Sequence, residues 1–208
     1  ASGGVNAGLS AGGGAAACTG TQASGVVPWV SLGIAEADAT DGWDRRLTYR
    51  VAPPLALTTS MDMSQCDPAG AGPAAGIPPD TTCAPLCVST NLAACTAPAA
   101  FLLNKGLLVQ SIVGAAQMDP GSGTGAAYVV ISAGETGGGA YLGSGQLATT
   151  TTTDGTGEQN NYASLTLRAY YVDDSATDVA GVNHFDDMIS RPSVLSVVAK
   201  ASLGPRSH

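Results

Sequence analysis

The side chains able to do chemistry are few and scattered. There are two histidines, His184 and His208, and His208 is the last residue. His184 is followed by Phe185, Asp186 and Asp187, so an imidazole lies beside two carboxylates. A nucleophilic hydrolase needs a base poised next to Ser or Cys. No Gly-x-Ser-x-Gly turn between a strand and a helix is present, and the Gly143-Ser144-Gly145 step lacks that setting. The glycine-rich segment from Gly134 to Gly145 has no Gly-Lys-Ser/Thr and no helix pattern after it, so it is not a phosphate cradle. The sequence therefore predicts no catalysis and no catalytic residue.

A metal-ion role is the remaining chemistry. Asp186 and Asp187 would face opposite ways in a strand. In a loop both could offer oxygens to Ca²⁺, together with Glu135 or carbonyls of residues 134–139. Ca²⁺ takes about six to eight oxygen ligands, which loops supply readily. A structural Ca²⁺ on Asp186, Asp187 and Glu135 is weighed against a plain turn. Asp41, in Asp-Gly-Trp, is expected to accept hydrogen bonds from nearby backbone N–H groups. Trp29, Trp43 and Tyr49 are expected to pack in the core.

Composition narrows the partners. The net charge is −8, with eight Lys and Arg and sixteen Asp and Glu in 208 residues. Nucleic acid needs clustered basic residues, so it is not an expected partner. Five cysteines, at 18, 66, 83, 87 and 95, lack paired Cys-x-x-Cys spacing and a nearby His. They predict disulfides, and hence an oxidising compartment, with one cysteine left over. The sequence contains no apolar run long enough to span a bilayer and no signal-peptide pattern. Together these suggest a chain trimmed at its N-terminus.

Residues 1–25 are rich in Gly, Ala and Ser and predict a flexible lead-in to one globular head, residues 26–208. Residues 46–51 alternate Leu47, Tyr49 and Val51 with Arg46, Thr48 and Arg50, which is the period of a half-buried strand. Residues 53–100 hold four of the cysteines and most of the prolines, and predict a long disulfide-stapled excursion. Residues 101–113 predict a short helix, a break at Gly106 and a strand. Residues 126–132 (AAYVVIS) predict a central strand, and residues 133–145 a loop. Residues 149–153 suggest a polar strand end, with a turn at 154–155. Residues 165–172 predict another strand. Ser193 predicts the cap of a short C-terminal helix. The expected class is α+β with an antiparallel sheet, glycine-rich loops and too little helix to cover the sheet's apolar face.

Three segments carry a resemblance. Residues 25–33 (GVVPWVSLG) with 41–51 (DGWDRRLTYRV) resemble "G-x-L-P-W-x-x-L-G-L" and "D-x-W-G-N-x-L-x-Y-x-V" of prepilin-like proteins, and the "D-P-W-G-N-x-Y-x-Y" of major pseudopilins. Residues 129–141 (VVISAGETGGGAY) are similar to "V-V-I-S-H-G-x-N-G-x-G-A-Y", and residues 185–190 (FDDMIS) to "D-D-I-V-x-W". They occur in family order over about a third of the chain. Asp44 stands where the family usually has Gly, Ala133 where it often has His, and Arg191-Pro192 where an aromatic often sits.

The chain thus resembles the head of a type IV pilin-like protein, a minor pilin or type II secretion pseudopilin. That resemblance implies a pilin-like fold and an N-terminal hydrophobic helix, absent here, that anchors the subunit in the inner membrane. The helix then packs in a filament core and covers the sheet. It implies other pilin or pseudopilin subunits as partners, a place in the periplasm or in a surface filament, and no catalysis. Some major pseudopilins bind calcium in this C-terminal region. The alternative expectation is a tip adhesin, a binding module that recognises a surface ligand through its variable loops.

Overall fold

The computed structural model describes residues 24–56, 102–149, 155–163 and 168–201. Within them the chain is α+β, with a sheet-rich body and short helices. The main sheet has four antiparallel strands in the order β1-β3-β6-β9: β1 (Ser24–Val26), β3 (Thr48–Val51), β6 (Tyr128–Ser132) and β9 (Met188–Ser190). β6 lies inside the sheet, as expected of an uncharged, β-branched run. A two-stranded ribbon pairs β2 (Arg45–Arg46) with β7 (Tyr141–Leu142). A smaller sheet orders β5 (Ala116–Met118), β4 (Val109–Gln110) and β8 (Tyr171–Val172). Its β4–β8 pair is parallel, so the molecule is not purely antiparallel.

Several expectations need adjustment. Ser24 and Gly25, assigned to the lead-in, pair with Arg50 and Tyr49 in β1, and the rest of the lead-in, residues 1–23, lies outside the described residues. Two short helices were not anticipated: α1 (Trp29–Leu32), closed by the left-handed Gly33, and α3 (Thr156–Asn161). α2 (Pro53–Ala56) opens the excursion. The remainder of that excursion and all five cysteines lie outside the described residues, as do 150–153 and 165–167 of the two later strand expectations. The expected loop at 133–145 holds the short strand β7. The C-terminal helix, α4 (Val194–Lys200), forms as its sequence suggests. Ser193 accepts the Ser196 N–H at 3.1 Å, and Val194 and Val198, one turn apart, are both buried.

The sheet's two faces differ. Register places Thr48, Arg50, Val129, Ile131 and Ile189 on one face. Val129 and Ile131 there join the largest core cluster with Leu107, Val109, Met118 and Tyr171. The other face carries Tyr49, Val51, Tyr128 and Val130, all half-buried, and Met188, which is 55% exposed. α4 packs on Tyr128 at one end, and the cluster around Trp29 packs on Tyr49 and Val130 at the other.

The inward side of β3 is thus the reverse of its hydrophobic alternation. Arg50 is buried because its Nε donates to the Tyr171 hydroxyl at 3.1 Å. Arg46, in the preceding β2, is buried because its guanidinium lies 4.7 Å from the Trp29 ring centroid and pairs with Glu36. Among the described residues, no helix is long and apolar enough to cross a membrane.

Candidate functional site

The three segments behind the family resemblance meet in space. In the first, Asp41 Oδ1 accepts the N–H groups of Trp43 at 3.0 Å and Arg45 at 2.9 Å, closing the turn into β2. Its Oδ2 accepts the Ser132 hydroxyl at 2.8 Å, which ties the first segment to the second. Arg45 then reaches over the glycine loop and donates to the carbonyls of Gly134 and Glu135. The second and third segments join where Asp186 accepts the Thr136 N–H at 2.8 Å and the Thr136 hydroxyl at 3.1 Å.

Behind Asp186 is a buried ionisable cluster. Glu158, in the first turn of α3, is 2% exposed. Its Oε2 accepts the Gly155 N–H at 2.6 Å, half of a capping box. Its Oε1 meets His184 Nδ1 at 2.9 Å and accepts the Asp186 N–H at 3.0 Å. Ligand atoms of Glu158, His184 and Asp186 all lie within 4.8 Å of one another. Gly155 is required there, since a Cβ at that position would sit 1.8 Å from the His184 carbonyl oxygen.

Burial raises the pKa of Glu158, and the neighbouring Asp186 carboxyl raises it further against the hydrogen bonds it accepts. Burial alone would lower His184. The Glu158 hydrogen bond and the charges of Glu158, Asp186 and Asp178 outweigh that effect and raise it.

Of the three acids expected to share Ca²⁺, only Asp186 faces the glycine loop. Asp187 is buried and accepts from Asn161 Nδ2 at 2.8 Å. Asn161 also clamps Val172, accepting its N–H at 2.9 Å and donating to its carbonyl at 2.8 Å. Glu135 is exposed. Two of the loop carbonyls that a Ca²⁺ shell would need carry the Arg45 guanidinium instead. Trp29 packs in the core as expected, whereas Trp43 is 43% exposed.

Glu158 escaped the sequence reading. Its one local signal is Gly155-x-x-Glu158, the spacing of an N-cap and a back-bonding N3 acid. A small cleft of about 20 Å³ beside Thr48, Arg50, Asn161 and Tyr171 has room for water. Comparison of the chain with family models, curated proteins and solved structures returns no match.

Proposed function

We propose that this chain is the head of a filament subunit of the type IV pilin-like kind, a minor pilin or pseudopilin that performs no reaction. One observation carries the reading. One face of the main sheet is closed by a large core, while among the described residues the other is covered at its ends by α4 and by the Trp29 cluster, and leaves Val51 half-buried and Met188 exposed. A sheet keeps an apolar face only where something covers it. In a pilin-like subunit the cover is an amphipathic helix that also packs against neighbouring subunits.

Two further features support the reading. The three segments that resemble the family are joined by Asp41–Ser132 and Thr136–Asp186 hydrogen bonds, so they form one structural unit. The exposed end of the glycine-rich segment, residues 142–144, would lie on the filament surface, in the periplasm or outside the cell.

Expression from the native gene, followed by immunoblotting of sheared filaments and of pull-downs on the major subunit, tests this. Co-purification with filaments is expected. Absence from every such fraction overturns it.

A further inference from the structure

We propose that Glu158, His184 and Asp186 form a binding site for a divalent transition-metal ion of the zinc class, independent of the filament reading. The donor set is mixed: two carboxylates and one imidazole, brought within 4.8 Å from α3 and from the segment entering β9. It is not a patch of solvated acids. Glu158 is 2% exposed and the His184 side chain 15% exposed.

The spacing suits a small ion. His184 Nδ1 and Glu158 Oε1 are 2.9 Å apart. Ligands on a metal with bonds of ~2.1 Å stand ~3.0 Å apart in an octahedron and ~3.4 Å in a tetrahedron. An ion can therefore enter with small side-chain movements, taking the place of the proton between ring and carboxylate.

Charge argues the same way. Glu158 and Asp186 bring two carboxyl groups together, and among the described residues neither pairs with a Lys or Arg. Among the described residues the His184 imidazole is the basic group that faces them, and a divalent cation would balance both acids at once.

The carboxylates are also held from behind. Gly155 N–H fixes the second oxygen of Glu158, and Thr136 N–H and hydroxyl fix Asp186. The imidazole and the small ligand number select a zinc-class ion over Ca²⁺, which would need several more oxygens. The partly exposed edge at His184 and Asp186 lets water fill the remaining positions.

Chelator-stripped protein titrated with Zn²⁺ by calorimetry at pH 7.5 tests this, with Ca²⁺ and Mg²⁺ as controls. One Zn²⁺ per chain is expected, with proton release and a melting temperature raised by a few degrees, and no comparable response to Ca²⁺. Glu158→Gln, His184→Gln and Asp186→Asn should each weaken binding by ~10-fold or more. The last two lie at the partly exposed edge and keep the fold testable if Glu158→Gln does not. The Co²⁺ form should lack thiolate-to-cobalt charge transfer, which separates this site from the cysteines. No Zn²⁺ binding overturns the proposal, as does binding that all the folded variants leave unchanged or that shows thiolate bands.

Discussion

Ser132 donates its hydroxyl to the Asp41 carboxylate at 2.8 Å across 91 residues of sequence, pinning the end of β6 to the turn that starts β2. The same carboxylate holds the Trp43 and Arg45 N–H groups, so one side chain organises the turn and its docking. Hydrogen bonds to a charged group contribute ~1.5–3 kcal/mol each at best, and less where water reaches them. Asp41→Ala should therefore lower stability by ~2–3 kcal/mol, or several degrees in melting temperature for a chain of this size. Asp41→Asn keeps an acceptor for the turn and should fall between wild type and Ala. Thermal melts of the three proteins check the order, and equal melts for Ala and wild type would refute the role.

Gly134 and Gly181 separate two costs that glycine hides. Both have positive φ, +57° and +86°. A Cβ at Gly181 meets open space, whereas one at Gly134 would lie 2.3 Å from Asp186 Oδ1. Gly181→Ala should cost only the left-handed penalty, ~1–2 kcal/mol. Gly134→Ala adds displacement of Asp186 from Thr136 and should cost ~2 kcal/mol more. Chemical denaturation of both variants measures the difference, and equal losses would mean that Asp186 moves aside freely.

What the sequence made legible was local. β6 was visible as a β-branched run, β3 as alternation, and α4 from Ser193 with Val194 and Val198 one turn apart. The turn role of Asp41 was visible too, because its partners lie two and four residues away. The inward side of β3 was not. It depends on the Tyr171 hydroxyl, 121 residues after Arg50, just as the burial of Arg46 in β2 depends on the Trp29 ring. Glu158 was hidden for the same reason. Its partner His184 is 26 residues away, and neither lies in a hydrophobic pattern that marks burial. Asp186 was expected near the glycine loop only as a shared Ca²⁺ ligand, so its direct hydrogen bonds with Thr136 were not foreseen, and the divergence of Asp187 toward Asn161 was set by α3, which had no clear period.

Asn161 should be among the least replaceable polar residues described. It is 3% exposed and satisfies both the N–H and the carbonyl of Val172, which is itself 2% exposed. Asn161→Ala leaves those groups buried without it, at ~1–3 kcal/mol for each unsatisfied group. Asn161→Asp keeps the shape but faces the Val172 carbonyl and Asp187 with an acceptor, so it should be no better than Ala at pH 7. Denaturation curves decide this, and a well-tolerated Asp would show that the clamp carries little.

Stability of the metal-free protein should peak on the acid side of neutrality. His184 has a raised folded pKa, so its contribution is complete below its ordinary 6.5 and is lost as pH rises through the higher folded value. Glu158, raised above 4.5 chiefly by burial, also favours the protonated side, and stability falls as pH climbs from that value. At the acid end Asp119, lowered by Ser122 and Gly121, and Asp174, lowered by Ile112 and Ser175, act oppositely. Their contribution is present above 3.8 and is lost as pH falls below it. Melting temperatures in chelator from pH 3 to 9 should thus decline between about pH 6 and 8. His184→Gln should flatten that decline, and a rise over the same range would contradict the assignment.

The filament reading makes its sharpest prediction on the two faces of one sheet. Ile131 is 4% exposed in the closed core, and Ile131→Lys buries a charge with no partner there, so the domain should not fold. Met188 lies beside Ser132 on the neighbouring strand, on the opposite face, and is 55% exposed. Met188→Lys should change the stability of the isolated domain by no more than ~0.5 kcal/mol. Val51→Lys, on the same half-covered face, should cost little more, because the ammonium can reach water along a half-buried side chain. If a helix shared with neighbouring subunits lies on this face, both lysines place a charge in that contact. Folded, secreted subunits should then be missing from sheared filaments while wild type is present. Incorporation of both variants at wild-type levels would show that nothing packs there during assembly, and the half-covered face would lose its meaning as a docking surface.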